Sequence, residues 1–413
     1  MLPTPLESAP AALSDFSRHD DLWLKREDVH ELGVFKWRST LPVVTELVAE
    51  GRDAVVTSST GNHGAAVAWA CLQLGAKAIV FVPPAASKQK LALLQGLGAD
   101  VRVTGRDLDE AKDAARAFAD EKGLRFFEDG AEPLQYEAYG AIGDEIVGQC
   151  PSLPAAVVTP IGNGALAGGI GAAIGRRAPD TVRVGVVAEQ MPVMAESYEA
   201  GEVVEAPAGT TIADGLAVRV AIPLAVERLA TTVDLMRRVS ERSIAEALVA
   251  CHDAGVAVEP SAAASLAAVR DCQDFMGEGP IVLVLTGRNV DPAVVANARR
   301  KLDCFSRLDV GSKCVRGGHA PSSGGGSIGV QARSLDADRD AADAPCAGPH
   351  PCVRLTHIKP LATRRVSQRG LRGRAAQSPR PPSLPQTLAW PASSALPATG
   401  RPGRTRPAGA PRR

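Results

Sequence analysis

The chain has few aromatic residues: Phe, Trp and Tyr together make up 4% of its 413 residues. Its core must therefore be built from Ala, Val, Leu and Ile, and an apolar content of 45% is enough for a sizeable one. No run of 18 or more apolar residues occurs, so no transmembrane helix is expected. The opening MLPTPLESAP lacks a basic stretch followed by an apolar one, so no signal peptide is expected either. The eight cysteines (71, 150, 251, 272, 304, 314, 346 and 352) form no CxxC pair. Their spacing fits neither a disulfide framework nor a zinc site. Free thiols in a reducing compartment, and hence a cytoplasmic protein, are the expectation. Net charge is absent overall, with 46 basic and 46 acidic residues, but the balance is uneven. Residues 306–413 hold 18 Lys and Arg against 5 Asp and Glu, which leaves 28 against 41 for residues 1–305. No internal repeat of solenoid type is present, and the length fits two or three domains.

What is present is an alternation of elements. DAVVTS (53–58), KAIVFV (77–82), DVRVTG (100–105), LRFFED (124–129), AAVVTP (155–160), VRVGVVAE (182–189) and PIVLVLTG (280–287) read as strands. Helical patterns such as SKQKLALLQGLG and DEAKDAARAFADEKG lie between them. This order predicts βαβ units and parallel sheets, an α/β fold. Ligands in such folds bind in the loops beyond strand C-termini. After about Asp303 the pattern stops. Residues 306–413 are rich in Pro, Arg, Gly and Ser, lack apolar periodicity, and are expected to be a disordered basic tail. That tail has no interleaved aromatics and no nucleic-acid-binding motif, so nucleic acid is not an expected partner.

Several loops carry candidate chemistry, and each has a plainer reading. SSTGNHG (58–64) gathers backbone N–H groups at a helix start, which suits a carboxylate or phosphate. It also reads as an ordinary capped turn. PIGNGALAGGIG (160–171) offers a bare backbone for a phosphate. It nearly matches the dinucleotide fingerprint as well, with Glu189 ending the next strand, which would make an NAD oxidoreductase. LTGRNVD (285–291) puts Thr286 at a strand end, where a hydroxyl can meet a ring nitrogen. TTIADGLAV (210–218) and VEPSAAASLAA (258–268) read as turn and helix starts, with Asp214 and Glu259 as caps. ELGVFKWRST (31–40) sets Lys36 among Val34, Phe35 and Trp37. Lys36 is either a lysine snorkelling past apolar neighbours or an amine kept neutral by them for covalent chemistry.

Taken in order, PTPLE (3–7), LKRED (24–28), FKWRS (35–39), SSTGNHG, PIGNGALAGG, TIADGLAV, VEPSAAASLAA and LTGRNVD resemble the fold type II pyridoxal-phosphate (PLP) enzymes. The branch they resemble is that of threonine/serine dehydratases and serine racemase, over nearly all of residues 1–300. The resemblance implies a tryptophan synthase β-like architecture of two three-layer α/β domains. Residues 1–47 with 136–305 would form the large PLP-binding domain, and 48–135 a small domain that closes over the substrate. It implies pyridoxal 5'-phosphate as cofactor, a small amino-acid substrate and a soluble homodimer with no membrane partner. By motif position, Lys36 forms the internal Schiff base and takes the substrate Cα proton. Phe35 lies against the ring, Asn62 donates to its 3′-oxygen, and Thr286 faces its nitrogen. Gly162, Asn163, Gly164, Ala165 and Leu166 hold the phosphate. Ser59, Thr60, Gly61, Asn62 and His63 receive the substrate carboxylate, and Thr60 stands where racemases place an opposite-face serine acid.

The implied activity is β-elimination of L-threonine and/or L-serine to a 2-oxo acid and ammonia. The alternatives are racemisation, β-replacement of the threonine synthase kind, and a non-catalytic protein on the same fold. The chain departs from the family pattern at Val34, at Ala262, and at Thr286 and Arg288. Asn163 and Ala165 bring side chains into a cradle that is usually all glycine. Ala195 stands where the racemase metal site needs an acid, so no metal is expected.

Overall fold

The structure, a computed structural model, describes residues 3–16, 21–86, 88–207, 209–272 and 277–313. Most of the expected disordered tail, residues 314–413, lies outside the described residues. The first half of the chain contributes β1 (Leu6–Ser8), β2 (Leu22–Arg26), α1 (Trp37–Ala49), β3 (Ala54–Ser58), α2 (Asn62–Leu74), β4 (Lys77–Val82), α3 (Lys88–Gly96), β5 (Asp100–Val103), α4 (Leu108–Lys122), β6 (Arg125–Phe126) and α5 (Pro133–Gln149). The second half contributes β7 (Ala156–Pro160), α6 (Ala165–Arg177), β8 (Val182–Ala188), α7 (Val193–Ala200), α8 (Pro223–Thr232), β9 (Leu235–Val239), α9 (Glu241–Asp253), α10 (Pro260–Cys272), β10 (Ile281–Leu285) and α11 (Pro292–Lys313). Helix α11 runs past residue 306, where the tail was expected to begin.

Two sheets result. Six strands pair in the order β1-β2-β10-β7-β8-β9, and four in the order β5-β4-β3-β6. All pairings are parallel except that of β1 with β2. The α/β expectation therefore holds. Strand β10 arrives late in the chain yet sits inside the large sheet, between β2 and β7. Its IVLVL run is fully buried, as a parallel strand covered on both faces requires. Alternate residues face opposite layers. Leu283 and Leu285 pack with Ile244 and Leu248 of α9 and Leu266 of α10. Val282 and Val284 pack with Tyr139 and Ile146 of α5 and Ile170 and Ile174 of α6. Each such aliphatic side chain contributes about 1.5–3 kcal/mol when fully buried.

The smaller sheet repeats the plan. Val55 and Val80 pack against Val43, Val44 and Leu47 of α1 and Val67 of α2, while Val56 and Phe81 pack against Ala115 and Ala119 of α4. Both sheets present their strand C-termini to the loops that carry the motifs. Among the described residues no helix is long and apolar enough to cross a membrane.

Candidate active site

Lys36 stands at the N-cap of α1, just after the loop that follows β2. That loop is fastened to the end of β10. Phe35 N–H donates to Thr286 O at 3.0 Å, Val34 forms an isolated bridge with Gly287, and Arg288 N–H donates to Gly33 O at 2.9 Å. The Arg288 guanidinium reaches back to the carbonyls of Asp28 and His30. The arginine found where the family has glycine thus straps the lysine loop to the last strand. Lys36 Nζ lies 2.5 Å from Asp129 Oδ2 and 4.9 Å from the centre of the Phe35 ring. The amine therefore has a carboxylate partner, not the purely apolar setting its sequence neighbours suggested.

Asp129 was not among the residues singled out in the sequence. It follows the short β6, where LRFFED reads as a longer strand. Gln135 Nε2 donates to Oδ1 at 3.1 Å, and Asn163 Nδ2 donates to Oδ2 at 2.9 Å. Burial pushes the Asp129 carboxyl up, but the Lys36 ammonium, His63 and the donated hydrogen bonds together hold it well below the usual carboxylate range. His63 Nδ1 is 3.5 Å from Asp129 Oδ1, and neither ring nitrogen has a hydrogen-bond partner among the described residues. Burial lowers the His63 pKa, which favours the neutral ring.

The 59–63 loop leads into α2, whose N-cap Gly61 supplies no side-chain acceptor. Ser59 Oγ accepts from Gly61 N–H at 3.2 Å, and Thr60 is half-buried beside it. Asn62 Nδ2 donates to Glu259 Oε2 at 3.1 Å, and Asn62 Oδ1 accepts from Asn289 at 3.3 Å. Glu259 is more than the cap read in its motif. It is 4% exposed, its N–H donates to Gly287 O, and burial pushes its carboxyl up to about 7.

The 162–166 segment joins β7 to α6. At Gly162 a Cβ would come within 2.5 Å of Gly215 O, so this backbone approach to the TIADGLAV loop requires glycine. Gly164 is the N-cap of α6 with φ of 92°, a left-handed conformation, and offers no side-chain cap. Ala165 and Leu166 form the first turn of α6 and are buried. Asn163, expected to intrude on the cradle, turns its amide to the Asp129 carbonyl and carboxylate. Thr286 is 3% exposed, and its Oγ1 has no hydrogen-bond partner among the described residues. Buried polar groups are normally satisfied, so such a hydroxyl marks a place for a ligand atom.

The set fits pyridoxal phosphate. The uncapped start of α6 suits the phosphate, the Thr286 hydroxyl, without a partner among the described residues, suits the ring nitrogen, and Lys36 has the amine that an aldehyde needs. Comparisons agree with this fit. The family described as "Pyridoxal-phosphate dependent enzyme" matches residues 1–287. The L-threonine ammonia-lyase of Geobacter sulfurreducens is 33% identical over 280 residues, 67% of this chain and 69% of that protein. That of Thermotoga maritima is 33% identical over 273 residues, 66% of this chain and 68% of that one. The processed threonine deaminase isoform 2 of Solanum lycopersicum superposes with a TM-score of 0.68 at 29% identity, over 72% of this chain and 87% of that one. Maize serine racemase shares the fold with a TM-score of 0.66 at 24% identity, over 75% and 93% of the two chains. The chain thus belongs to the fold type II pyridoxal-phosphate dependent enzymes, and pyridoxal phosphate is its cofactor.

Proposed function

We propose that the protein is an ammonia-lyase acting on L-threonine, with L-serine as a second substrate, to give a 2-oxo acid and ammonia. The observation that carries this reading is that His63 at the α2 start and Asn163 before the α6 start both meet Asp129, the partner of Lys36, while the Phe35 N–H beside Lys36 donates to Thr286 O. The substrate class comes from the two 33%-identical ammonia-lyases. When bound, the cofactor supplies a conjugated ring that takes up the electron pair left at the substrate Cα. A hydroxyl, not a carboxylate, beside the ring nitrogen favours elimination over reactions that need a strongly stabilised carbanion.

The chain's own groups then divide the work. Gly162, Asn163, Gly164, Ala165 and Leu166 would hold the phosphate through backbone N–H groups at the positive end of α6. Phe35 would pack on the ring, and Asn62, whose Nδ2 donates to Glu259 Oε2, would meet the ring oxygen. The N–H groups of 59–63 bind the substrate carboxylate, with Thr60 and His63 flanking it. Lys36 takes the Cα proton as base. The β-hydroxyl gains one proton, the equivalent of the one that Lys36 took from Cα and gives up again, and departs as water. One water is consumed when the released enamine hydrolyses, so threonine yields 2-oxobutanoate and ammonia.

The smaller sheet, about residues 48–135, is the element that closes over the substrate and keeps bulk water out. A cytoplasmic homodimer completes the proposal. Cys71, Cys150 and Cys251 are free, which suits a reducing compartment, and the dimer rests on the family resemblance and is checked by sedimentation. The test of function is a 2-oxo acid and ammonia assay on the purified holoenzyme with L-threonine, L-serine and O-phosphohomoserine. Equimolar 2-oxo acid and ammonia from threonine is expected. Main products of D-amino acid, or of threonine from O-phosphohomoserine, would overturn the reading.

A further inference from the structure

We propose that Asp129 is a catalytic residue of this enzyme, the fixed anion that holds the proton-carrying form of Lys36 during Cα–H cleavage. Lys36 Nζ is the reacting atom, and Asp129 Oδ2 lies 2.5 Å from it. The carboxylate is held on both oxygens by neutral donors, Gln135 on Oδ1 and Asn163 on Oδ2. Gln135 is locked in turn, because its Oε1 accepts from Gly130 N–H at 2.7 Å. The anion is therefore preorganised and needs no rearrangement to receive a cation. Asn163, a departure from the all-glycine cradle, gains a purpose as the donor that aims Asp129.

The proposal rests on the lyase reading for the identity of the base. In the step concerned, the Cα–H bond breaks and its electron pair stays with the substrate. The proton forms a new N–H bond on Nζ, giving the ammonium. Asp129 accepts a hydrogen bond from that ammonium and takes no proton itself. A charge-assisted bond of this kind stabilises the proton-transfer product and so lowers the barrier.

Other titratable groups face the pair. They are His63 from α2, Tyr136 and Tyr139 from α5, and Glu259 ahead of α10. Burial first, and Asp129 second, push both tyrosines up, out of the range of a neutral-pH experiment. Glu259, at about 7, titrates within that range, so each variant is also made with Glu259→Gln.

The experiment follows the visible cofactor band of holoenzyme against pH, alongside kcat, KM and the isotope effect with α-deuterated threonine. In Asp129→Asn the band's transition is expected to move to lower pH by about 1–3 units, because an opposite charge has gone. In the same variant kcat is expected to fall about 100-fold with KM nearly unchanged, and the isotope effect to rise. Asp129→Glu should restore part of both. Asn163→Gly leaves the carboxylate but removes its aim, and should move the band the same way by less. It carries the test if Asp129→Asn fails to fold. An unshifted band in whichever variant folds overturns the proposal. A shifted band in the variants together with a wild-type holoenzyme that makes no 2-oxo acid overturns the lyase reading instead.

Discussion

Lys25 and Lys36 are both withdrawn from water, and the two regions around them solve opposite problems. Lys25 is fully buried and uses all three ammonium donors, on Thr4 O at 2.8 Å, Glu145 Oε2 at 2.6 Å and Gln149 Oε1 at 2.8 Å. Beside it Arg38 spans Glu27 and Glu145 with bonds of 2.7–2.9 Å and meets Thr4 Oγ1 at 3.0 Å. Every charge there has its counter-charge. Around Lys36 the satisfaction among the described residues is incomplete: one carboxylate for the amine, a histidine with neither nitrogen bonded, a buried hydroxyl with no partner. A closed network joins β2, α1 and α5 and holds the fold. An open one awaits a ligand. The type of residue does not distinguish the two, but the accounting of donors and acceptors does.

The contrast can be tested from its strong end to its weak end. Lys36→Ala should cut turnover by about 10²–10⁴-fold from loss of the base alone and abolish the visible cofactor band. Retention of both would place the chemistry elsewhere. Lys25→Ala should leave the turnover of folded enzyme near wild type and cost about 1.5–3 kcal/mol of stability, because it takes from the half-buried Glu145 one of its two cationic partners, Arg38 being the other. Denaturant unfolding measures this, and a loss below about 1 kcal/mol would put the cluster in the class of surface ion pairs.

Glu259 gives the open region a signature in pH. Its folded-state pKa of about 7 lies above its ordinary 4.5, so the folded protein binds this proton more tightly than the unfolded chain does. Its contribution is full below the ordinary value and is lost as pH rises through about 7, by about 3 kcal/mol at most. His63 works the other way, since burial lowers its pKa and its contribution is lost as pH falls. Glu259→Gln removes only the first effect. Unfolding free energy against pH should fall less steeply towards neutrality in the variant, and parallel curves would refute the buried-carboxyl assignment.

The smallest effect is the most discriminating. Thr286→Val should raise the stability of cofactor-free protein by about 1 kcal/mol, since it removes a buried hydroxyl that bonds nothing among the described residues. It should also weaken cofactor retention. A lower melting temperature for the cofactor-free variant would mean that the hydroxyl already has a protein partner.

Much of this was legible in the chain, for reasons that can be located. Runs such as VVTS, IVFV and IVLVL signal strands because both faces of a parallel sheet are apolar. The glycines of 162–169 and the small residues of 58–64 signal a backbone that a ligand approaches. Strands β2 and β9 were missed because their residues contradict the pattern. LWLKR carries Lys25, whose charge is answered by Glu145, 120 residues away. LMRRV is an edge strand whose arginines guard it from further pairing. Asp129 was missed for the same reason as the Lys25 network. Its meaning lies in Lys36, 93 residues earlier, and no local periodicity records that pairing.

One topological detail has a consequence for how the protein is made. The loop bearing Lys36 is fastened to Gly287 and Thr286, at the end of a strand that fills the middle of the large sheet. Ribosomes extend chains at about 5–20 residues per second, so roughly 12–50 seconds separate the synthesis of Lys36 from that of Gly287. Throughout that interval the nascent large sheet has a gap where β10 will lie, and the amine has no rigid seat. A chain cut short before Ile281 therefore lacks the strand to whose end the Lys36 loop is fastened.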